Sequence, residues 1–327
     1  MKLQITHETR YNYDPAVQTA QHMAYLRPLA TAHQRVVSHA LQIDPAPARI
    51  SETRDVFGNS RCYFAVGSPH RQLKVVAHST VQTEQFASPV SSITWEQTRD
   101  LFGYQSLAMH DAAAEFVFAS PLCPQHQEFT AYARPSFAPG VGVLAAAREL
   151  MTRIYTEFAY ESQSTEVNTP ALQALAQRNG VCQDFSHIMI SCLRSMGMAA
   201  RYVSGYLLTL PPAGAVKLRG SDASHAWVSI YVPDLPVDER WYDLDPTNNR
   251  CGWHAPGEDY VRLAVGRDFG DVSPLRGVIH GGASHTLAVA VTVEPVADGE
   301  PTATPARSPS ANKNQVEGQA QSQHAID

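Results

Sequence analysis

Residues 178–197 read RNGVCQDFSHIMISCLRSMG, a glycine two positions before a cysteine and then a run with helical spacing. Phe185, Ile188, Met189, Cys192, Leu193 and Met196 fall on the i, i+3, i+4, i+7, i+8, i+11 series of a helix with one apolar stripe. Gly197 supplies the stop. The spacing therefore predicts a helix that begins near Val181–Cys182, which sets the sulfur beside free backbone N–H groups and the positive end of the helix dipole. That setting favours thiolate over thiol and suits a nucleophile. A buried cysteine also serves as a small hydrophobe; Cys192, in mid-stripe, reads as core filler.

The rest of the chain bounds what such a cysteine can do. The 327 residues are 44% hydrophobic and 17% charged, with a net charge of −6, as expected of a soluble protein with one large or two ordinary cores. No cluster of Lys and Arg interleaved with aromatics is present, so nucleic acid and anionic membranes are not expected partners. The first residues, MKLQITHETRYNYD, lack an apolar leader core, and no stretch reaches the length of a membrane span, so a cytoplasmic protein is expected. Five scattered cysteines without CxxC spacing argue against a disulfide framework and a structural zinc site. No cofactor is expected.

Residues 1–83 alternate with period two. Leu3, Ile5, His7, Thr9, Tyr11 and Tyr13 form one face, followed by Cys62, Phe64, Val66 and by Leu73, Val75, Ala77, Ser79, Val81, with turn residues between them. The pattern predicts an antiparallel β-sandwich, taken as a domain of residues 1–90. Its histidines show no ligand spacing, nor do His280 and His285 in their glycine loop. Residues 84–140 read as a proline-punctuated connection. Helices are predicted from Val143 to Phe158 and from Thr169-Pro170, with the threonine as N-cap and the proline at N1. Strands are predicted at 201–207, 225–232, 241–245 and 287–293. These elements are assigned to a second domain, 91–294, and residues 295–327, without Phe, Trp or Tyr, to a disordered tail.

A cysteine nucleophile needs a base and a group that orients it. His187 lies five positions along the helix from Cys182, a rotation of roughly 140°, and is excluded. His225 opens a predicted strand and shares a face with Trp227, Ser229 and Tyr231. A hairpin centred near residue 235 sets Asp245 opposite His225, and a shift of the centre by one substitutes Asp243, so spacing leaves both open.

Four blocks together resemble the bacterial transglutaminase-like family: Gly180-Val181-Cys182-Gln183-Asp184-Phe185, Ala199 to Tyr206, Asp222-Ala223-Ser224-His225-Ala226-Trp227, and Asp245-Pro246-Thr247-Asn248. Tyr11-Asn12-Tyr13, Leu26-Arg27-Pro28 and Asp55-Val56-Phe57-Gly58-Asn59 are similar to the β-rich region that precedes the core in that family, and Gly266 to Val272 to its C-terminal block. The resemblance implies an α+β chain: an N-terminal antiparallel β-sandwich, then a transglutaminase-like, papain-like core with the nucleophile at a helix N-terminus on an antiparallel sheet. It implies Cys182 as nucleophile, His225 as base and Asp245, rather than Asp243, as the orienting acid. Ser229 stands where relatives often carry an acidic residue. No calcium loop is present, so calcium dependence is not carried over.

The implied chemistry is cleavage or transfer of an amide acyl group through a thioester acyl-enzyme, as peptidase or amidase rather than protein cross-linker. The substrate class is a protein or peptide amide, with a peptide-ligase-like protein as an accompanying partner. Gln183 is an oxyanion-donor candidate, and Trp227 and Trp241 are candidates to line the acyl cleft, although core packing suits at least one of them better. The alternative is a peptide- or protein-binding module whose triad is retained but idle. Oligomeric state has no signature in the sequence.

Overall fold

The structure is a computed structural model that describes residues 1–87, 89–103, 111–161, 169–209, 224–236, 240–282 and 284–296. It begins with β1 (Lys2–Ala24), β2 (Gln34–Asp44), β3 (Arg49–Arg54), β4 (Ser60–Val66) and β5 (His70–Thr83). Every odd position of β1 from Leu3 to Tyr13 is buried, because successive side chains of a strand alternate faces. At 23 residues, β1 is long enough to run through the whole of one seven-stranded sheet, in which β2, β5, β1, β4 and β3 follow one another in that order. Its first half pairs with β5, its second half with β4, and the β5 register breaks between Asn12 and Val17. The apolar residues of both halves, among them Tyr11, Val17, Phe64, Leu73 and Val75, close on one core. A single sheet that bends at such a break can fold its two halves over a common core, which is how the sandwich-like shape read from the sequence is realised.

The chain continues through α1 (Trp95–Asp100), α2 (Gln127–Ala133), α3 (Val143–Glu157), β6 (Ala159–Tyr160), α4 (Ala171–Gln177), β7 (Asn179–Gly180) and α5 (Cys182–Ser195). It then forms β8 (Ala200–Leu207), β9 (Ser224–Tyr231), β10 (Trp241–Asp245), β11 (Arg250–Trp253) and β12 (Tyr260–Gly266). These last five make an antiparallel sheet in the order β11-β10-β9-β8-β12. Ala226, Val228 and Ile230 share a core with Phe185, Ile188, Met189, Cys192 and Leu193 of α5. Pro170, not Thr169, is the N-cap of α4, a shift of one residue. The segment read as a mere connection contributes α1 and α2, and Phe129, Ala133 and Phe137 are fully interior.

The helix read as having one apolar stripe is buried on nearly all sides, from Asp184 to Arg194. Its polar residues are accommodated by hydrogen bonds rather than by water. Ser186 Oγ donates to the Cys182 carbonyl (2.8 Å), His187 Nε2 accepts from Phe269 N–H (3.2 Å), and the Arg194 guanidinium donates to the carbonyls of Phe116, Ala200 and Arg267. No helix among the described residues is long and apolar enough to cross a membrane.

After α6 (Phe269–Val272) the chain leaves the second unit. The final strands, β13 (Leu275–Gly281) and β14 (Ser284–Pro295), pair antiparallel with β1, Ala20 with Ile279 and Ile5 with Val293. The strand assigned from sequence to the domain of residues 91–294 thus completes the N-terminal sheet, since β1 has an open edge at each half. The expected tail lies, from residue 297 on, outside the described residues.

His22 is a weak point in the sandwich. It is 4% exposed, stacks on Phe64 (5.1 Å between ring centres), and neither ring nitrogen has a hydrogen-bond partner among the described residues. Burial, reinforced by the charge of His70, pushes its pKa down from 6.5 to about 4. The unfolded chain therefore takes up the proton first, and stability drains away as pH falls from about 6.5 towards 4. His22→Phe is expected to raise stability by about 1 kcal/mol at neutral pH, because it removes unpaired buried nitrogens. It should also flatten the decline of Tm between pH 7 and pH 5, which thermal melts at the two pH values would read.

Candidate active site

The cysteine stands where the sequence places it, as the first residue of α5. Val181, the N-cap, offers no side-chain acceptor to the first turn, and Asp184 Oδ2 reaches back to Val181 N–H (2.9 Å). Gly180 approaches with φ +156°, and a Cβ there would lie 2.7 Å from Asp184 Oδ2 and 2.8 Å from Asp184 Cβ. This explains the glycine: Asp184 is 1% exposed and cannot swing aside without dismantling the turn that holds the sulfur. Gly180→Ala is expected to cost about 1–3 kcal/mol of stability from backbone strain and to slow alkylation of Cys182. Thermal melts and thiol-labelling rates would check both.

His225, near the start of β9, lies at this end of α5, with its imidazole close enough to the Cys182 side chain for the two groups to act on one another's charge. Its Nε2 meets Asp245 Oδ2 at 2.7 Å, which leaves Nδ1 as the nitrogen for the sulfur. Cys182 is 5% exposed, and the side chains of His225 and Asp245 are 9% and 0% exposed. Burial alone would depress the imidazolium, but the charge and hydrogen bond of Asp245, together with Cys182, outweigh it and raise the His225 pKa to about 10. Asp245 is held below its ordinary value: burial acts against it, and the His225 charge with hydrogen bonds from His225, Asn248 and Tyr260 prevails. Nδ2 of Asn248 and the hydroxyl of Tyr260 both donate to Oδ2 at 2.7 Å, and Oδ1 accepts the backbone N–H of Thr247 (2.9 Å) and Asn248 (3.3 Å). A carboxylate with this many donors stays ionised and keeps one orientation.

Asp243 occupies a different environment. Its Oδ2 accepts from Trp227 Nε1 (2.7 Å) and from the Arg262 guanidinium (2.6 Å), and its Oδ1 accepts from Ser229 Oγ. The β9–β10 ladder pairs Asp243 with Ser229 and Leu244 with Val228. The hairpin is therefore centred one residue later than the expected 235, and Asp245 lies diagonal to His225 rather than directly across from it. Alternation of faces still puts both on one side of the sheet.

Three further sequence candidates can now be placed. Gln183 lies half-buried in the first turn of α5, beside the nucleophile. Trp227 does not line a cleft: it is 0% exposed, packed edge-on against Tyr260 and lodged over Gly205, where a Cβ would come within 2.4 Å of its ring. Trp241 begins β10, four residues from Asp245 and so roughly 13 Å away at strand spacing. There it packs against Phe116 and Tyr231 under the Arg201 guanidinium. Asn248 and Tyr260 were not expected. Asn248 was legible as the end of an Asp-Pro-Thr-Asn turn; nothing in the sequence links Tyr260 to Asp245. No group of His, Cys, Asp and Glu among the described residues is arranged to hold a metal ion.

Residues 3–82 match the model of the bacterial transglutaminase-like N-terminal region, and residues 130–246, which span all three side chains, match the transglutaminase-like superfamily. The chain belongs to the transglutaminase-like superfamily. Uncharacterized proteins of Mycobacterium tuberculosis and Mycobacterium bovis are each 38% identical to it over 302 residues, covering 90% of this chain and 93% of theirs. One from Mycobacterium leprae is 32% identical over 296 residues, covering 89% and 98%. Among solved structures, a protein of Cytophaga hutchinsonii described as a proposed cysteine protease superposes with a TM-score of 0.67 at 22% identity, covering 90% of this chain and 91% of that one. The fold shared with that structure thus runs through both the N-terminal β-rich region and the core.

Proposed function

We propose that this superfamily member is a thiol hydrolase that cleaves an amide through a Cys182–His225–Asp245 triad. The observation that carries the reading is a cysteine at the N-terminus of a buried helix, beside an imidazole that is hydrogen-bonded to a buried, fully satisfied carboxylate. The thiolate attacks the amide carbonyl while His225 is protonated. Backbone N–H groups of the first turn of α5, with Gln183 beside them, face the oxygen as it gains charge. Collapse breaks the C–N bond as His225 gives its proton to the leaving nitrogen, and a thioester remains on Cys182. Water, losing its proton to His225, attacks the thioester; the acid departs and Cys182 is regenerated. A primary amine in place of water would give transamidation from the same intermediate.

The test is a panel of peptide amides, including glutamine side-chain amides, scored by amine or ammonia release and by the mass of the acyl-enzyme. Wild type should accumulate a thioester on Cys182, hydrolyse it, and lose all turnover as Cys182→Ala. Added hydroxylamine should divert the acyl group into hydroxamate. Turnover that survives in Cys182→Ala would overturn the proposal, and labelling of Cys182 no faster than of Cys192 would favour an idle triad in a binding module.

A further inference from the structure

His225, Asp243 and Asp245 lie on the sheet face opposite the one on which Ala226, Val228 and Ile230 pack against the body of α5, so only the first turn of α5 reaches His225, and this face meets the N-terminal region. Leu29 and Phe57 of the sandwich pack with Val203, Trp227, Tyr260 and Val265 on that face. Gly205 pairs with both Arg262 and His225. Its missing side chain makes room for the Trp227 ring, and beside that ring Tyr260 and Arg262 extend from the edge strand β12 to the two acids of β10. Tyr260 Oη donates to Asp245 Oδ2 and Arg262 to Asp243 Oδ2.

The outer edge of β12 is taken by two side-chain amides from the sandwich. Gln34 Nε2 donates to the Arg262 carbonyl (2.6 Å) and its Oε1 accepts from Arg262 N–H (2.7 Å). Asn59 Nδ2 donates to the Val265 carbonyl (2.7 Å) and its Oδ1 accepts from Val265 N–H (2.8 Å). Each amide reproduces the donor and acceptor pair of a neighbouring strand. Neither is incidental: Gln34 is 6% and Asn59 0% exposed. Asn59 is set by Asp55, whose carboxylate accepts from Phe57 N–H, Asn59 N–H and Asn59 Nδ2, with Gly58 at φ +84° completing the turn. The Asp-Val-Phe-Gly-Asn stretch is thus the mount for this amide.

We infer that the N-terminal sandwich is part of the apparatus that positions the triad: Gln34 and Asn59 fix the register of β12, and β12 delivers the Tyr260 hydroxyl that holds Asp245 against His225. Tyr260 is a positioning residue and touches no reacting atom. The inference rests on the triad reading above.

The experiment measures the second-order rate of iodoacetamide with Cys182 at pH 6, by peptide mass spectrometry, and Tm, in wild type, Tyr260→Phe, Gln34→Met and the double variant. Loss of one hydrogen bond to a buried carboxylate corresponds to about a tenfold slower reaction for Tyr260→Phe. Gln34→Met should slow it severalfold, and the double variant should be no slower than Tyr260→Phe alone, because both act through the same hydroxyl. Their losses of Tm should nevertheless add, which separates positioning from stability. A wild-type rate in Tyr260→Phe, or rate losses that multiply in the double variant, would overturn the inference. Tyr260→Phe removes a single oxygen and carries the test even where Gln34→Met does not fold. If wild-type Cys182 reacts no faster than Cys192, it is the triad reading that fails.

Discussion

Asp245→Ala is expected to slow amide turnover by about three to four orders of magnitude, the loss that follows when an orienting carboxylate is removed from a nucleophile–histidine pair. The direction of the accompanying pH effect follows from the site. Burial depresses the His225 imidazolium, and Asp245 reverses this and lifts it to about 10. Without the carboxylate the burial remains, so the pKa should fall well below 10, towards or under 6.5, and the alkaline limb of kcat/KM should move with it. Asp245→Asn should do the same, since the charge is absent. The pair also bears on stability. The raised His225 contributes stability that is complete below about 6.5 and lost as pH rises through about 10. The lowered Asp245 contributes stability present above 3.8 and lost as pH falls through its depressed value. A variant whose alkaline limb stays near pH 10 would remove Asp245 from the account.

Asp243→Ala should fail differently. Asp243 is 0% exposed and paired with Arg262, itself 7% exposed, and it also accepts from Trp227 and Ser229. Removing it leaves a buried guanidinium without its anion, which costs about 3–5 kcal/mol. For a chain of this size the corresponding fall in Tm is on the order of 10 °C. The alkaline limb of Cys182 alkylation should stay where it is in wild type, because Asp245 still faces His225. Two aspartates two residues apart on one strand would thus separate into one that holds the fold and one that serves the chemistry. An Asp243→Ala protein with unchanged Tm would show that the Arg262 contact contributes little.

The elements that were legible from sequence are those governed by local periodicity. The odd positions of β1 reveal a buried face over a dozen residues, and the α5 spacing locates its N-terminus to within a residue of Cys182. The block from Gly180 to Phe185 also encodes its own geometry, since Gly180 and Asp184 fit each other. What was not legible depends on contacts between distant parts of the chain. Val289 and Val293 have the alternation of a strand, but nothing local says that the partner is β1, nearly 300 residues away. Hairpin symmetry left Asp245 and Asp243 both open as the partner of His225, and the ladder is centred one residue later than expected, because the loop length alone does not set register. Trp227 and Trp241 both read as cleft candidates with core packing the better role for at least one, and the Trp227 ring over Gly205 decides for core. Tyr260 and Gln34 give no signal at all, and Asn59 is legible only as the end of the Asp55 to Asn59 turn, since a side-chain amide pairing with a strand edge looks, in sequence, like any other polar residue near a turn.

The measurement that bears most directly on the central claim is the pH dependence of iodoacetamide alkylation at each of the five cysteines, in wild type and in His225→Ala. The account predicts selective labelling of Cys182 well below pH 8, far ahead of the buried Cys62, Cys123 and Cys192, whose thiols are all pushed up by burial. It predicts that this selectivity disappears in His225→Ala. Slow labelling of Cys182 that rises with pH like an ordinary thiol and is unchanged by the loss of His225 would contradict it.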